Sequence, residues 1–152
     1  MTSTSLDPRR NAFRPDLADA RLEGRVAAAA FVAAQARQVQ VATAPVRGLP
    51  DPAASWTTEA LFGEVVDVFE VRAGWAWVQL RRDGYVGYLP VEMLSADVHA
   101  PTHSISALGS TLYPAPDFKS PPIMHLALNS ELAVAEMGPD FARLACGRHR
   151  WR

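Results

Sequence analysis

Cysteine and histidine chemistry is confined to five side chains: Cys146, His99, His103, His125 and His149. The histidines fall in separate segments without paired ligand spacing, so no metal site and no cofactor are expected. Cys146 stands in ARLACGR, an apolar strand-like run, where burial would raise the thiol pKa and leave a poor nucleophile. The aromatic chemistry is concentrated in WAWVQLRRDGYVGYLP, residues 75 to 90. Strand alternation puts Trp75 and Trp77 on one face, where rings could stack on a sugar or a peptide. A barrel of about 60 residues also needs a large ring to fill its core. Trp77 is therefore assigned to packing and Trp75 to a partly exposed place. Taken as isolated residues, Glu64 reads as a solvated strand-edge acid, Tyr85 as a packing residue, and Arg81 and Arg82 as a solvated turn.

The elements that would hold these residues change character along the chain. Residues 1–37 read as an arm: RPDLADARLEGRV is polar and turn-like, and VAAAAFVAAQAR has the composition of a short helix. From residue 38 the chain turns to short valine-rich and aromatic runs separated by Gly, Pro and Asp, the punctuation of an all-β fold. VQVA at 39–42 reads as a first strand, APVRGLPDPAAS as a loop, and GEVVDVFEV with WAWVQL as a hairpin. Shifting the chain on itself by 66 residues finds a weaker second copy. Pro50-Asp51 meets Pro116-Asp117, Trp75-Ala76 meets Phe141-Ala142, and Leu80 meets Cys146. On that offset Tyr85 meets Trp151, so the second copy is expected to lack its last strand and to leave an open edge.

ALFGEVVDVFE, GWAWVQL and DGYVGYLP resemble the strands of bacterial SH3-like barrels, and LYPAPDFKSPP, SELAVAE and DFARLAC do so more weakly. With the leader LDPRRNAFRPDLADARLEGRV, the order is similar to the N-terminal region of NlpC-type cysteine peptidases, gamma-D-glutamyl-L-diamino-acid endopeptidases of cell-wall peptides. The resemblance implies a mainly β chain: an N-terminal, partly helical arm (1–37), a first SH3-like barrel (38–96) and a second, truncated one (102–152). It also implies that the catalytic Cys-His domain follows the barrels and lies outside this chain, which is then not itself an enzyme. In that family the first barrel supplies a carboxylate and a tyrosine to the substrate's free amino terminus. The matching positions are Glu64 and Tyr85, with Trp75 beside them as a third candidate.

The implied ligand is a short peptide of the L-Ala-gamma-D-Glu-diamino acid type, met in the cytoplasm during cell-wall recycling. The competing reading is an interaction module whose open β edge pairs with a catalytic peptidase domain or with a second copy of the chain. A formal charge of -1 and a pI near 6.4 argue against nucleic acid as a partner. No window approaches the roughly 18 apolar residues of a membrane span, and the start has no signal-peptide core.

Overall fold

A computed structural model describes residues 6–151. The arm forms a short parallel pair, β1 (Ala18–Asp19) with β2 (Phe31–Val32), around a 3-10 turn at Ala20–Leu22 that the Asp19 side chain caps by accepting from Arg21 N. The alanine-rich helix expected within 26–37 does not form. Residues 31–32 are strand, and β3 (Gln35–Val39) opens the first sheet, four residues earlier than the strand read at 39–42. A short uncapped helix gains little by itself in water. In strand form Val32 and Ala34 pack beside Phe69 and Trp77, and Gln35 pairs with Val68.

Six further strands complete the first unit: β4 (Thr43–Arg47), β5 (Trp56–Leu61), β6 (Val65–Arg72), β7 (Trp75–Leu80), β8 (Val86–Pro90) and β9 (Leu94–Ser95). Their order in the sheet is β5-β4-β8-β7-β6-β3-β9. The end strands β5 and β9 are not hydrogen-bonded to each other, yet Ala60 of one and Leu94 of the other enter the same apolar core with Val39, Val46, Val66 and Val78. The sheet must therefore curl around its inner face into an open barrel. The chain is mainly β, as its sequence indicates.

The second unit comprises β10 (His103–Ser104), β11 (Gly109–Tyr113), β12 (Met124–Ala127), β13 (Glu131–Leu132), β14 (Val134–Met137), β15 (Phe141–Leu144) and β16 (His149–Trp151). Its ladders repeat those of the first at the offset of 66. Val46↔Thr58 lies in the same register as Leu112↔Met124, and Gln38↔Val65 as Ser104↔Glu131. The bulge between Val68 and Glu70 recurs between Val134 and Glu136. Buried positions coincide too: Val39 with Ile105, Val46 with Leu112, Ala60 with Leu126, Val66 with Leu132 and Val78 with Leu144. Only five of the aligned residues between 37 and 80 are identical to their counterparts: Pro50, Asp51, Val68, Glu70 and Ala76. What the two copies share is the inside-outside alternation and its register.

Two expectations about the end of the chain are corrected. The last strand of the second unit is present, because β16 pairs with both β11 and β15. Tyr88 faces Trp77, and its counterpart facing Arg143 is His149, only 61 residues on; the final turn is thus five residues shorter than in the first unit. The same shortening ends β15 at Leu144 and places Cys146 in the turn, where it is an exposed free thiol rather than a core residue.

The two units meet along a seam built from Phe62-Gly63-Glu64. Phe62 leaves the first sheet and packs with Ile105, Leu112, Leu126, Leu132 and Leu144 in the second core. Its carbonyl accepts a hydrogen bond from Glu131 N at 2.8 Å. At Gly63 the chain is left-handed, φ +85°, and passes directly against the Glu131 carbonyl.

Candidate functional site

Two places gather charged and aromatic side chains. The first is the seam. Glu64 follows the left-handed turn at Gly63, which delivers its carboxylate to the junction of the units, where it is 3% exposed. Arg82, from the turn between β7 and β8, donates to Glu64 Oε1 from Nη1 at 2.8 Å. That bond first of all holds the arginine above its ordinary pKa. Glu131, arriving from β13, is the second carboxylate near this single guanidinium. Burial foremost, and the neighbouring Glu64 charge next, push the Glu131 pKa above 4.5, while Arg82 pulls it back. The seam thus carries one more negative charge than it can pair.

A cleft of about 200 Å³ opens beside that charge. Gln38, Gly63, His99, Glu131, Cys146 and Arg148 are among its walls. Gln38 is fixed by its own bonds: its amide nitrogen donates to Gly63 O and His99 O, and its oxygen accepts from His99 N. Asp97 and Glu131 give the cleft two acidic groups and Arg148 a basic one.

The excess charge has a thermodynamic signature. A carboxyl whose folded-state pKa lies above its unfolded value is more easily protonated in the folded chain, so its ionisation weakens the fold. The loss accrues as pH rises from about 4.5 through the raised pKa, and is regained on acidification across the same window. The E131Q variant is expected to melt at a higher temperature than the parent near pH 7, with the gap closing toward pH 4.5. Thermal denaturation at several pH values checks this; equal melting temperatures at pH 7 would refute the unpaired-charge reading.

The second place is the outer face of β6, β7 and β8. Cross-strand pairing puts Glu70 beside Trp77 and Trp77 beside Tyr88. The arm lies on this face. Arg14 stacks its guanidinium 4.2 Å from the Trp77 ring centre, pairs with Glu70 at 3.0 Å and Asp16 at 2.9 Å, and donates to Tyr88 Oη at 3.0 Å. A cavity of about 390 Å³ remains at the edge of the arm, bounded by Arg14, Pro50, Glu70, Arg72, Trp75 and Tyr88.

Of the residues singled out in the sequence, Glu64 and Tyr85 lie toward one end of the β6–β7 hairpin. Trp75 lies at the other, paired with Arg72 beside the 390 Å³ cavity. Glu64 is buried and ion-paired rather than a solvated acid. The Tyr85 ring lies 5.3 Å from the Arg10 guanidinium, and its backbone N donates to Asp83 Oδ1. Arg81 and Arg82 lie in an exposed turn, as read, and each also carries an ion pair: Arg81 binds Asp67 at 2.7 Å and Arg82 binds Glu64. Trp77 is buried and Trp75 half-buried, as assigned, but Trp77 packs on the outer face beneath the arm rather than in the barrel core, which Ala76, Val78 and Leu80 fill. Sequence reading missed Arg14, Arg82 and Glu131. Glu131 left a trace, an acid where the first copy has Val65; Glu70 left another, as one of the few residues kept in both copies.

The register, the open curled sheet and the repeated unit define a tandem of SH3-like domains. Residues 46–94, most of the first unit, match the family model of the bacterial dipeptidyl-peptidase SH3 domain. Among solved structures, an NlpC/P60 family protein from Bacillus cereus ATCC 10987 is similar with a TM-score of 0.59 at 18% identity, over 76% of this chain and 53% of that one. The chain thus spans about half the length of that protein, and the likeness establishes a shared fold. NlpC2 from Trichomonas vaginalis aligns with a TM-score of 0.39 at 14% identity, over 81% of this chain and 48% of that one. No curated protein matches the sequence.

Proposed function

We propose that this region is the non-catalytic, substrate-selecting part of a cysteine peptidase acting on peptidoglycan peptides. Its determinant is the free amino terminus of a short L-Ala-gamma-D-Glu-diamino acid peptide, and the ammonium is received at the seam, by Glu131 from the cleft and by Glu64 behind it. The observation that carries this reading is the pair of carboxylates sharing one guanidinium, Arg82. A ligand ammonium supplies the missing positive charge, and in a partly desolvated cleft such a charge-assisted bond is worth more than at an open surface. Arg148 is available across the cleft for a ligand carboxylate. Tyr85 borders the same turn and is the phenol assigned to the ligand's first residue. The match of residues 46–94 to a dipeptidyl-peptidase domain supports the peptidase setting.

Calorimetric titration of the protein with L-Ala-gamma-D-Glu-diaminopimelate tests the assignment. Binding is expected to fall at least about tenfold when the peptide is N-acetylated, and equally in E131Q or E64Q. An acetylated peptide that binds as well as the free amine would overturn it. A second reading, an interaction module pairing through a sheet edge, rests on β5, an end strand whose Trp56 is 58% exposed. Self-association in light scattering, abolished by a charge placed at Thr57 in that strand, would favour this reading instead.

A further inference from the structure

The cavity of about 390 Å³ at the edge of the arm is built unlike the seam. Trp75, Tyr88 and Pro50 supply flat apolar walls, and the charged groups around them are Arg14, Asp16, Glu70 and Arg72. Two cations and two anions leave this lining without net charge, whereas the seam keeps an unpaired carboxylate. The cavity therefore favours neither an anionic nor a cationic ligand.

Its polar groups are held in place and still have bonds to give. Arg14 is fixed by Glu70, Asp16 and the Tyr88 hydroxyl. Tyr88 Oη accepts that bond and keeps its own proton to donate, and the Glu70 carboxylate has lone pairs beyond the one Arg14 meets. Arg72 is exposed and makes no hydrogen bond or ion pair among the described residues, although its charge is felt at Asp16. Donors and acceptors thus stand side by side around an aromatic wall. A hydroxyl group needs both, because it donates one bond and accepts others.

The turn that delivers Trp75 is unusual. Arg72 faces Trp75 across Ala73-Gly74, and both turn residues are left-handed, at φ +50° and +80°. Asn, Asp or Gly is the ordinary choice for the first of them, so the alanine is strained. The turn is nonetheless pinned, since Gly74 O accepts from Val91 N at 2.9 Å. Ala73 borders the cavity, and strained backbone held rigid beside a cavity is a mark of ligand sites.

We propose that this cavity binds a neutral carbohydrate, one pyranose ring stacking on the Trp75 indole while its hydroxyls bond to Arg72, Glu70 and Tyr88. A pyranose with equatorial hydroxyls presents a flat face of C–H groups, weakly positive, which suits the negative face of an aromatic ring. A volume of about 390 Å³ lies in the range of small-molecule pockets. A nucleotide or other anion would bring its charge against Asp16 and Glu70, and an extended apolar peptide would cover Arg72 and Glu70 without bonding to them. The proposal stands apart from the amine site at the seam, since neither Glu64 nor Glu131 lines this cavity.

Cellobiose and N,N′-diacetylchitobiose, two uncharged disaccharides with such a flat face, are titrated separately into the isotopically labelled full chain. At least one is expected to give saturable shifts of the Trp75 indole and of the amides at 72–75 and 88, with Gln38 and Glu131 unmoved. W75A should weaken binding at least about tenfold and W75F should restore most of it. R72M should weaken binding too; Arg72 is exposed, so this variant tests the site without endangering the fold. W56A removes a ring that is 58% exposed but outside the cavity, and should change nothing. No saturable shift with either disaccharide, shifts confined to the seam, unchanged affinity in W75A or R72M, or an equal loss in W56A would each overturn the proposal. So would an uncharged oligoproline peptide that binds at these residues where the sugars do not.

Discussion

Replacing Gly63 by alanine is expected to destabilise the protein by about 3 kcal/mol or more and to separate the melting of its two units. A Cβ at this position would lie 1.9 Å from the Glu131 carbonyl oxygen and 2.6 Å from its carbon, and both atoms are backbone. Nothing flexible can give way; the second unit must move as a body or the Phe62–Glu131 hydrogen bond must break. The left-handed φ of +85° adds about 1–2 kcal/mol for any residue with a Cβ. Overpacking adds about 1–3 kcal/mol more. Gly24 provides the internal control: its φ is +77°, but a Cβ there meets nothing within 4 Å. Gly24→Ala should therefore show the conformational cost alone. Differential scanning calorimetry of the two variants separates the terms; a Gly63→Ala loss no larger than that of Gly24→Ala would mean that the seam does not couple the units.

Trp77→Ala is expected to cost about 3–5 kcal/mol, the range for deleting a buried aromatic ring. The loss should be felt in the arm as much as in the sheet. Trp77 is 3% exposed, tilted against Phe69 at 5.4 Å, and forms one cluster with Ala12, Leu17 and Val32 of the arm. Without the ring, Arg14 keeps Glu70 and Asp16 but loses the surface on which it lies. Urea denaturation reads the stability, and limited proteolysis within residues 20–30 reads the release of the arm. Trp75→Ala, at a half-buried position on the same strand, should cost about 1 kcal/mol and leave the arm protected. Equal losses for the two tryptophans, or an arm that stays protected in Trp77→Ala, would show that the arm is held elsewhere, for instance through the Arg21–Asp67 contact.

The duplication was legible in the sequence because strand pairing constrains it so tightly. A shift of one residue would turn every inward side chain outward, so the register of Val46 with Thr58 persists in Leu112 with Met124 although almost every residue has changed. The same reading failed at the end of the second copy, where an offset without gaps was carried past a turn shortened by five residues. Cys146 was thereby placed in the core, and the strand His149–Trp151 was missed. Turns lie outside the core and tolerate deletion, so periodicity carries no information about their length. The alanines of the arm misled for another reason. Their helix propensity is a local preference of a few tenths of a kcal/mol per residue, and the area buried by Val32 and Ala34 against the first unit outweighs it.

The sequence by itself determined the class of fold and the repeat of its unit, because alternation and hairpin spacing are written in neighbouring residues. Only the tertiary structure decided which charges meet. Glu64 and Glu131 stand 67 positions apart and come together because Phe62 enters the second core, while Arg14 reaches Glu70 because the arm crosses the outer face. Electrostatic partnership acts through space over a few ångströms, and no periodicity along the chain records it.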